Sequence, residues 1–232
     1  EPMGVVKANN ELRELQAREE KEIDRILAEL SAEAASFQDG IRTDYALLVE
    51  LDVIFARGKL AVRMDALPPK LSDKALRLNR ARHPLLDRKK AVANDLRLGE
   101  DFDTLVITGP NTGGKTVTLK TMGLLTLMAQ CGLHIPVGND SMVRVFRRVL
   151  ADIGDEQSIE QSLSTFSAHM KNIVGILNEA DEDTLVLFDE LGAGTDPIEG
   201  AALAAAIIDH SRGLGALIAA TTHYAELKVY AM

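Results

Sequence analysis

Between the apolar run Leu105-Val-Ile-Thr108 and a helical pattern that opens at Val117 lie Gly109, Pro110, Asn111, Thr112, Gly113, Gly114, Lys115 and Thr116. The glycine spacing followed by Lys-Thr, set between a strand and a helix, is that of a phosphate-binding loop. No other feature constrains the chain as much, because strand, loop and helix in that order imply a sheet behind the loop and a polyanion in front of it. Without Cβ atoms at 109, 113 and 114 the backbone is free to curl around a phosphate. The following helix, entered through Lys115, Thr116 and Val117, aims its unpaired N–H groups at the anion. Lys115 is expected against the β- and γ-phosphates of a nucleoside triphosphate, and the Thr116 hydroxyl on Mg²⁺.

At 232 residues the chain has room for one α/β domain of roughly 150 residues and an appendage. No stretch is apolar and long enough to span a bilayer, and no signal-peptide pattern precedes the first helix. The expectation is a cytoplasmic protein without a membrane partner, and a piece of a longer chain, since it opens on Glu1-Pro2. Cys131 is the only cysteine, which leaves neither a disulfide frame nor a thiolate metal site and predicts a buried core thiol. The net charge of -9 is uneven: residues 1–100 carry 18 basic and 18 acidic side chains, residues 101–232 carry 8 and 17. The acidic half is the nucleotide half, and such a surface repels a nucleic-acid backbone when acting alone. A denser basic run, Lys70, Lys74, Arg77, Arg80, Arg82, Arg88 and Lys90, either touches phosphates or, as charge runs more often do, forms a solvated face.

Leu12, Leu15, Ile23, Ile26, Leu30 and Phe37 recur near helical spacing, with charged residues between them. Gln38-Asp39-Gly40 is expected to break this helix, and a second pattern runs through Tyr45, Leu48, Leu51, Ile54 and Phe55 toward Val62. The pair predicts an antiparallel hairpin or projecting lever of helices, with core-facing helices of a bundle as the alternative. Pro68-Pro69 ends the region, giving a helical segment over 1–67 and a nucleotide domain over 68–232. Within the latter the pattern predicts strands over 76–79, 92–98, 105–108, 142–149, 184–189 and 216–222. Helices are predicted to follow the loop as far as about Gln130 and over 166–179 and 201–212. Strands alternating with helices predict an α/β fold, a mostly parallel sheet covered on both faces.

The apolar strand Leu185-Val-Leu-Phe188 ends in Asp189 and Glu190. A strand delivering two carboxylates beside a phosphate loop suits Mg²⁺-dependent hydrolysis, with Asp189 holding the metal through water and Glu190 orienting the attacking water. Three further segments carry small polar side chains suited to a phosphate: Ser162-Leu-Ser-Thr-Phe166, Gly192-Ala-Gly-Thr-Asp196 and Thr221-Thr-His223. Taken singly, Ser164 and Thr165 read as helix caps, the glycines as a turn, and His223 as a packed core residue.

In this order and spacing the segments resemble the MutS ATPases of the ABC class. Gly154-Asp-Glu-Gln-Ser-Ile-Glu-Gln-Ser-Leu-Ser-Thr-Phe166 and Gly192-Ala-Gly-Thr-Asp-Pro197 are similar to the MutS-two branch, a likeness that extends to Asn9-Asn10 and Arg82-His-Pro84. The resemblance implies a P-loop NTPase of ABC type preceded by a helical lever, using ATP and Mg²⁺ and working as a homodimer. Each nucleotide would lie between one subunit's phosphate loop and the other's signature segment. It implies that Ser164 and Thr165 reach the partner's γ-phosphate and that residues 192–196 cross the dimer seam. It also implies that His223 senses the γ-phosphate and that Gln157 links nucleotide state to the lever. Mismatch-repair relatives carry an aromatic side chain near Ala91 to stack on adenine; with Ala91-Val92 there, base contact is expected to be apolar packing. The implied function is an ATPase driving a clamp on branched DNA or on stalled and collided ribosomes, the nuclease of the parent protein lying in a domain absent here. The alternative is a nucleotide-gated binding module in which hydrolysis is a slow reset.

Overall fold

The computed structural model describes residues 2–110, 113–154, 162–224 and 226–227, with residues 162–165 described through their backbone alone. The chain divides into two compact units, Glu1–Ala56 and Arg57–Met232. The first is helical. Phe37 alone separates α1 (Met3–Ser36) from α2 (Gln38–Met64), which continues past the end of the unit. Hydrogen bonding runs on through the interruption, from Phe37 N–H to the Ala34 carbonyl at 3.1 Å and from Ile41 N–H to the Phe37 carbonyl at 2.9 Å. The expected breaker Gln38-Asp39-Gly40 instead forms the first turn of α2, where Asp39 complements the helix dipole.

A hairpin of helices buries a seam between them, yet every described residue from 2 to 56 is exposed. The expected antiparallel hairpin is therefore corrected to two consecutive helices without a buried seam. Leu12, Leu15, Ile23, Ile26 and Leu30 stay in water. Local ion pairs such as Arg25 with Glu22 at 2.6 Å and with Glu29 at 2.5 Å support α1 only weakly, because both partners are solvated.

The second unit continues with β1 (Lys70–Ser72), β2 (Leu76–Ala81), β3 (Asn94–Leu98), β4 (Thr104–Thr108), α3 (Lys115–Gln130), β5 (Met142–Arg144) and β6 (Arg148–Asp152). It is completed by α4 (Ser162–Glu179), β7 (Thr184–Phe188), α5 (Pro197–Gly213) and β8 (Leu217–Thr222). Among the described residues the strands form two four-stranded sheets, a mixed one in the order β1-β5-β2-β3 and an all-parallel one in the order β4-β8-β7-β6. In the parallel sheet, successive side chains enter different cores. Leu185, Leu187, Leu217 and Ala219 join α3 and the mixed sheet, while Val186, Phe188, Ile218 and Ala220 pack on the side of α4 and α5. Burial on both faces explains why 184–188 reads as a continuous apolar run rather than an alternation.

Two sequence expectations are revised here. The strand expected over 142–149 is two strands in different sheets: β5 places Val143 opposite Leu71, and β6 places Leu150 opposite Val186. The Gln130 side chain divides the run by accepting the Phe146 N–H at 2.8 Å and donating to the Phe146 carbonyl at 3.0 Å, so neither group is left for a ladder. Cys131 is exposed rather than buried, because it caps the C-terminus of α3 instead of continuing its core face.

The register aligns Thr108 with Thr222, Phe188 with Ala220 and Asp152 with Phe188. One edge of the parallel sheet thus collects the carboxyl ends of all four strands, where open α/β sheets place their ligands. No described helix is long and apolar enough to cross a membrane.

Candidate functional site

Leaving β4, the backbone turns at Gly109 (φ 142°) and enters α3 through Gly114 (φ 75°), conformations that favour glycine. A Cβ built on Gly109, Gly113 or Gly114 would meet nothing within 4 Å among the described residues. Among the described residues nothing fills the hollow before the helix. Gly113 N–H closes the turn on the Pro110 carbonyl at 3.0 Å. Gly114 caps α3 without a side chain, and the first turn holds no acid, so the electropositive helix start is not neutralised from within. Asn111 and Thr112 lie outside the described residues, and Val117 is exposed in the first turn.

Lys115 is 4% exposed, and its ammonium donates to the Gly109 carbonyl and to His223 Nδ1, the latter at 3.2 Å. An ammonium can only donate, so Nδ1 accepts and the ring proton sits on Nε2, which faces Glu190 Oε1 at 3.2 Å. A hydrogen-bonded chain thus links Lys115, His223 and Glu190. Thr116 Oγ1 donates to Asp189 Oδ1 at 3.2 Å, and the buried Asp189 also accepts from Thr221 Oγ1. A hydroxyl and a carboxylate side by side at a helix start are hard oxygen donors suited to Mg²⁺. The open loop, the buried lysine and this oxygen pair fit a magnesium-bound triphosphate.

Glu190 has φ 52°, a left-handed conformation that costs a residue with a Cβ on the order of 1 kcal/mol or more. Contacts from the end of β8 hold it there. Glu190 N–H donates to Thr221 Oγ1 at 2.8 Å, Leu191 N–H to the Thr221 carbonyl at 2.9 Å, and Thr222 Oγ1 to the Leu191 carbonyl at 3.2 Å. Beyond the strand, Tyr224 Oη donates to the Gly192 carbonyl at 2.8 Å. Space here is tight: a Cβ on Gly200 would lie 2.4 Å from Tyr224 Oη and 2.5 Å from the Gly192 oxygen. Gly200→Ala is expected to destabilise the fold by about 1–3 kcal/mol, read as a lower urea midpoint at unchanged slope.

Of the segment 192–196, Asp196 caps α5 by accepting the Ile198 N–H at 2.9 Å, with Pro197 opening the helix. Gly194 (φ 88°) passes beside the Phe166 ring. Ser164 and Thr165 fall in the first turn of α4, their side chains outside the described residues, as is Gln157 altogether. Ala91 follows a turn in which its N–H donates to the Asp87 carbonyl at 2.8 Å, and Val92 is exposed.

Sequence reading misses Asp152, a third carboxylate on this edge. It is buried, accepting from Asn172 Nδ2 at 2.8 Å and facing His169 Nδ1 at 2.8 Å, while its carbonyl receives the Asp189 N–H at 2.9 Å. Both side-chain oxygens are engaged in tying α4 to β6. The signal was the three-residue spacing of His169 and Asn172, which puts both on one helix face.

Residues 105–232, more than half of the chain, match the family MutS domain V, a P-loop ATPase domain. The whole chain is 57% identical over 233 residues to an Endonuclease MutS2 of Acetivibrio thermocellus and 60% identical over 233 residues to one of Alkaliphilus oremlandii, covering 29% and 30% of those proteins. An Endonuclease MutS2 of Listeria monocytogenes serotype 4a is 61% identical over 231 residues, which is 99% of this chain and 29% of that protein. The chain therefore spans under a third of the length of these curated relatives.

Proposed function

This chain belongs to the MutS family, and we propose that it binds ATP with Mg²⁺ and hydrolyses it. The observation that carries the reading is the hydrogen-bonded chain from Lys115 through His223 to Glu190, beside the Thr116–Asp189 pair. The α3 N–H groups and Lys115 bind the phosphates, Lys115 turning from the Gly109 carbonyl to β- and γ-phosphate oxygens while its third N–H stays on His223 Nδ1. Mg²⁺, held by Thr116 and Asp189, supplies a counter-charge to those oxygens. Glu190 orients a water in line with the γ-phosphorus and takes its proton as the bond to the ADP oxygen breaks. His223, donating through Nε2, fixes the carboxylate and couples it to the lysine that touches the γ-phosphate.

In this proposal the working unit is a homodimer, with Ser164 and Thr165 completing the partner's site, so that hydrolysis depends on assembly. Nucleotide state then drives a clamp on branched DNA or on stalled ribosomes, and the endonuclease activity named for the relatives belongs to the whole protein. The test is direct: purified protein should bind a fluorescent ATP analogue only with Mg²⁺ and release phosphate at a rate per chain that rises with protein concentration. Absence of Mg²⁺-dependent binding would sink the proposal. Crosslinking in cells, followed by identification of the bound nucleic acid, decides between DNA and ribosome.

A further inference from the structure

We propose that Tyr224 is a positioning residue for Glu190, the clamp that keeps the turn of residues 190–192 left-handed; this rests on the hydrolytic role proposed above. Residues 223 and 224 hold the turn at its two ends. His223 meets the carboxylate, and Tyr224 Oη holds the carbonyl of Gly192, two residues on, at 2.8 Å. The tyrosine is itself fixed, its N–H donating to Thr222 Oγ1 at 3.3 Å.

The phenol occupies a slot that exists only because two side chains are missing. A Cβ on Gly192 would lie 3.0 Å from Tyr224 Cε2, and one on Gly200 would lie 2.4 Å from Oη. Gly192 itself has φ 85°, so two consecutive reversals, at residues 190 and 192, are enclosed between β8 and the phenol. The contacts of Thr221 and Thr222 come from within the sheet and secure residues 190 and 191. Ala193 N–H closes the turn on the Glu190 carbonyl at 2.9 Å, and among the described side chains Tyr224 is the one that hydrogen-bonds its far side. Without it, the strain of the left-handed turn rests on the contacts from β8 and on the turn's own Ala193–Glu190 bond, and the Glu190 carboxylate spends more of its time away from His223.

Tyr224→Phe keeps the ring in its slot and removes the hydroxyl. In nucleotide-free protein, the amides of Glu190 and Leu191 should exchange with solvent about tenfold faster, while those of Val186 and Leu187 inside β7 hold their wild-type rates. With Mg²⁺-ATP, kcat should fall about tenfold at a KM within about twofold of wild type, since phosphate binding does not use this turn. Wild-type exchange at residues 190 and 191 overturns the inference, as does an unchanged kcat. Should the wild-type protein release no phosphate, the hydrolytic reading falls instead, and the exchange rates still decide whether Tyr224 holds the turn.

Discussion

Glu190→Gln should leave ATP bound and stop its turnover. The amide has the shape of the carboxylate, its carbonyl oxygen accepts from His223 Nε2 as the acid does, and the backbone bonds from Thr221 that hold φ at 52° do not involve the side chain. Affinity for an ATP analogue should stay within about twofold, because Lys115, Thr116 and the helix start are untouched. What is lost is the negative charge that aligns the water and receives its proton. A loss of roughly 10²-fold or more in phosphate release is expected, in the range of other single groups that act in the transition state. His223 does not substitute, since its Nδ1 is engaged by the lysine and its Nε2 already carries the proton. Rapid-quench measurement of phosphate release beside equilibrium binding separates the two effects. Release at the wild-type rate would remove Glu190 from the chemistry and point to a base outside the described residues.

The backbone turn of the loop was legible in the sequence because it is local. The glycines at 109 and 114 are needed for backbone reasons that hold in any context, and the structure gives both positive φ. Asp189 and Glu190 were legible because an apolar run that stops at two acids marks a strand end, and the parallel sheet brings that end beside Thr116. Features decided by distant contacts were not. The run 142–149 has no glycine or proline to interrupt it, and only the grip of Gln130 on Phe146 and the pairing of Val143 with one sheet and Leu150 with the other divide it. Cys131 is expected inside because free cysteine is so often buried, but it lies one residue past the end of α3, off the helix's core face. The helix break falls at Phe37, while the glycine that suggested it, Gly40, sits within α2, where no Cβ contact is at stake. Nor does a sequence show that Glu190 is left-handed, since that conformation is imposed by β8 and not by the glutamate.

Lys115→Ala is expected to remove the response to nucleotide without weakening the empty protein. The side chain is 4% exposed, and its ammonium lies at the positive end of α3, where a cation is disfavoured by about 0.3–1 kcal/mol. Among the contacts described, truncation loses the bonds to the Gly109 carbonyl and His223, and both acceptors border the loop, where water replaces the donor. The melting temperature of the nucleotide-free variant should therefore stay within a few degrees of wild type. Ligand changes the comparison, because a charge-assisted bond to phosphate contributes about 1.5–3 kcal/mol, and Lys115 is placed to make more than one. ATP affinity should fall about 10²-fold or more. At an ATP concentration near a hundred times the wild-type Kd, the wild-type protein gains about 2.7 kcal/mol from binding, whereas the variant gains under about 0.5 kcal/mol. Thermal melts with and without Mg²⁺-ATP read this difference directly. A variant that loses stability when empty yet keeps its nucleotide-induced shift would make Lys115 a structural lysine and leave the phosphates to another group.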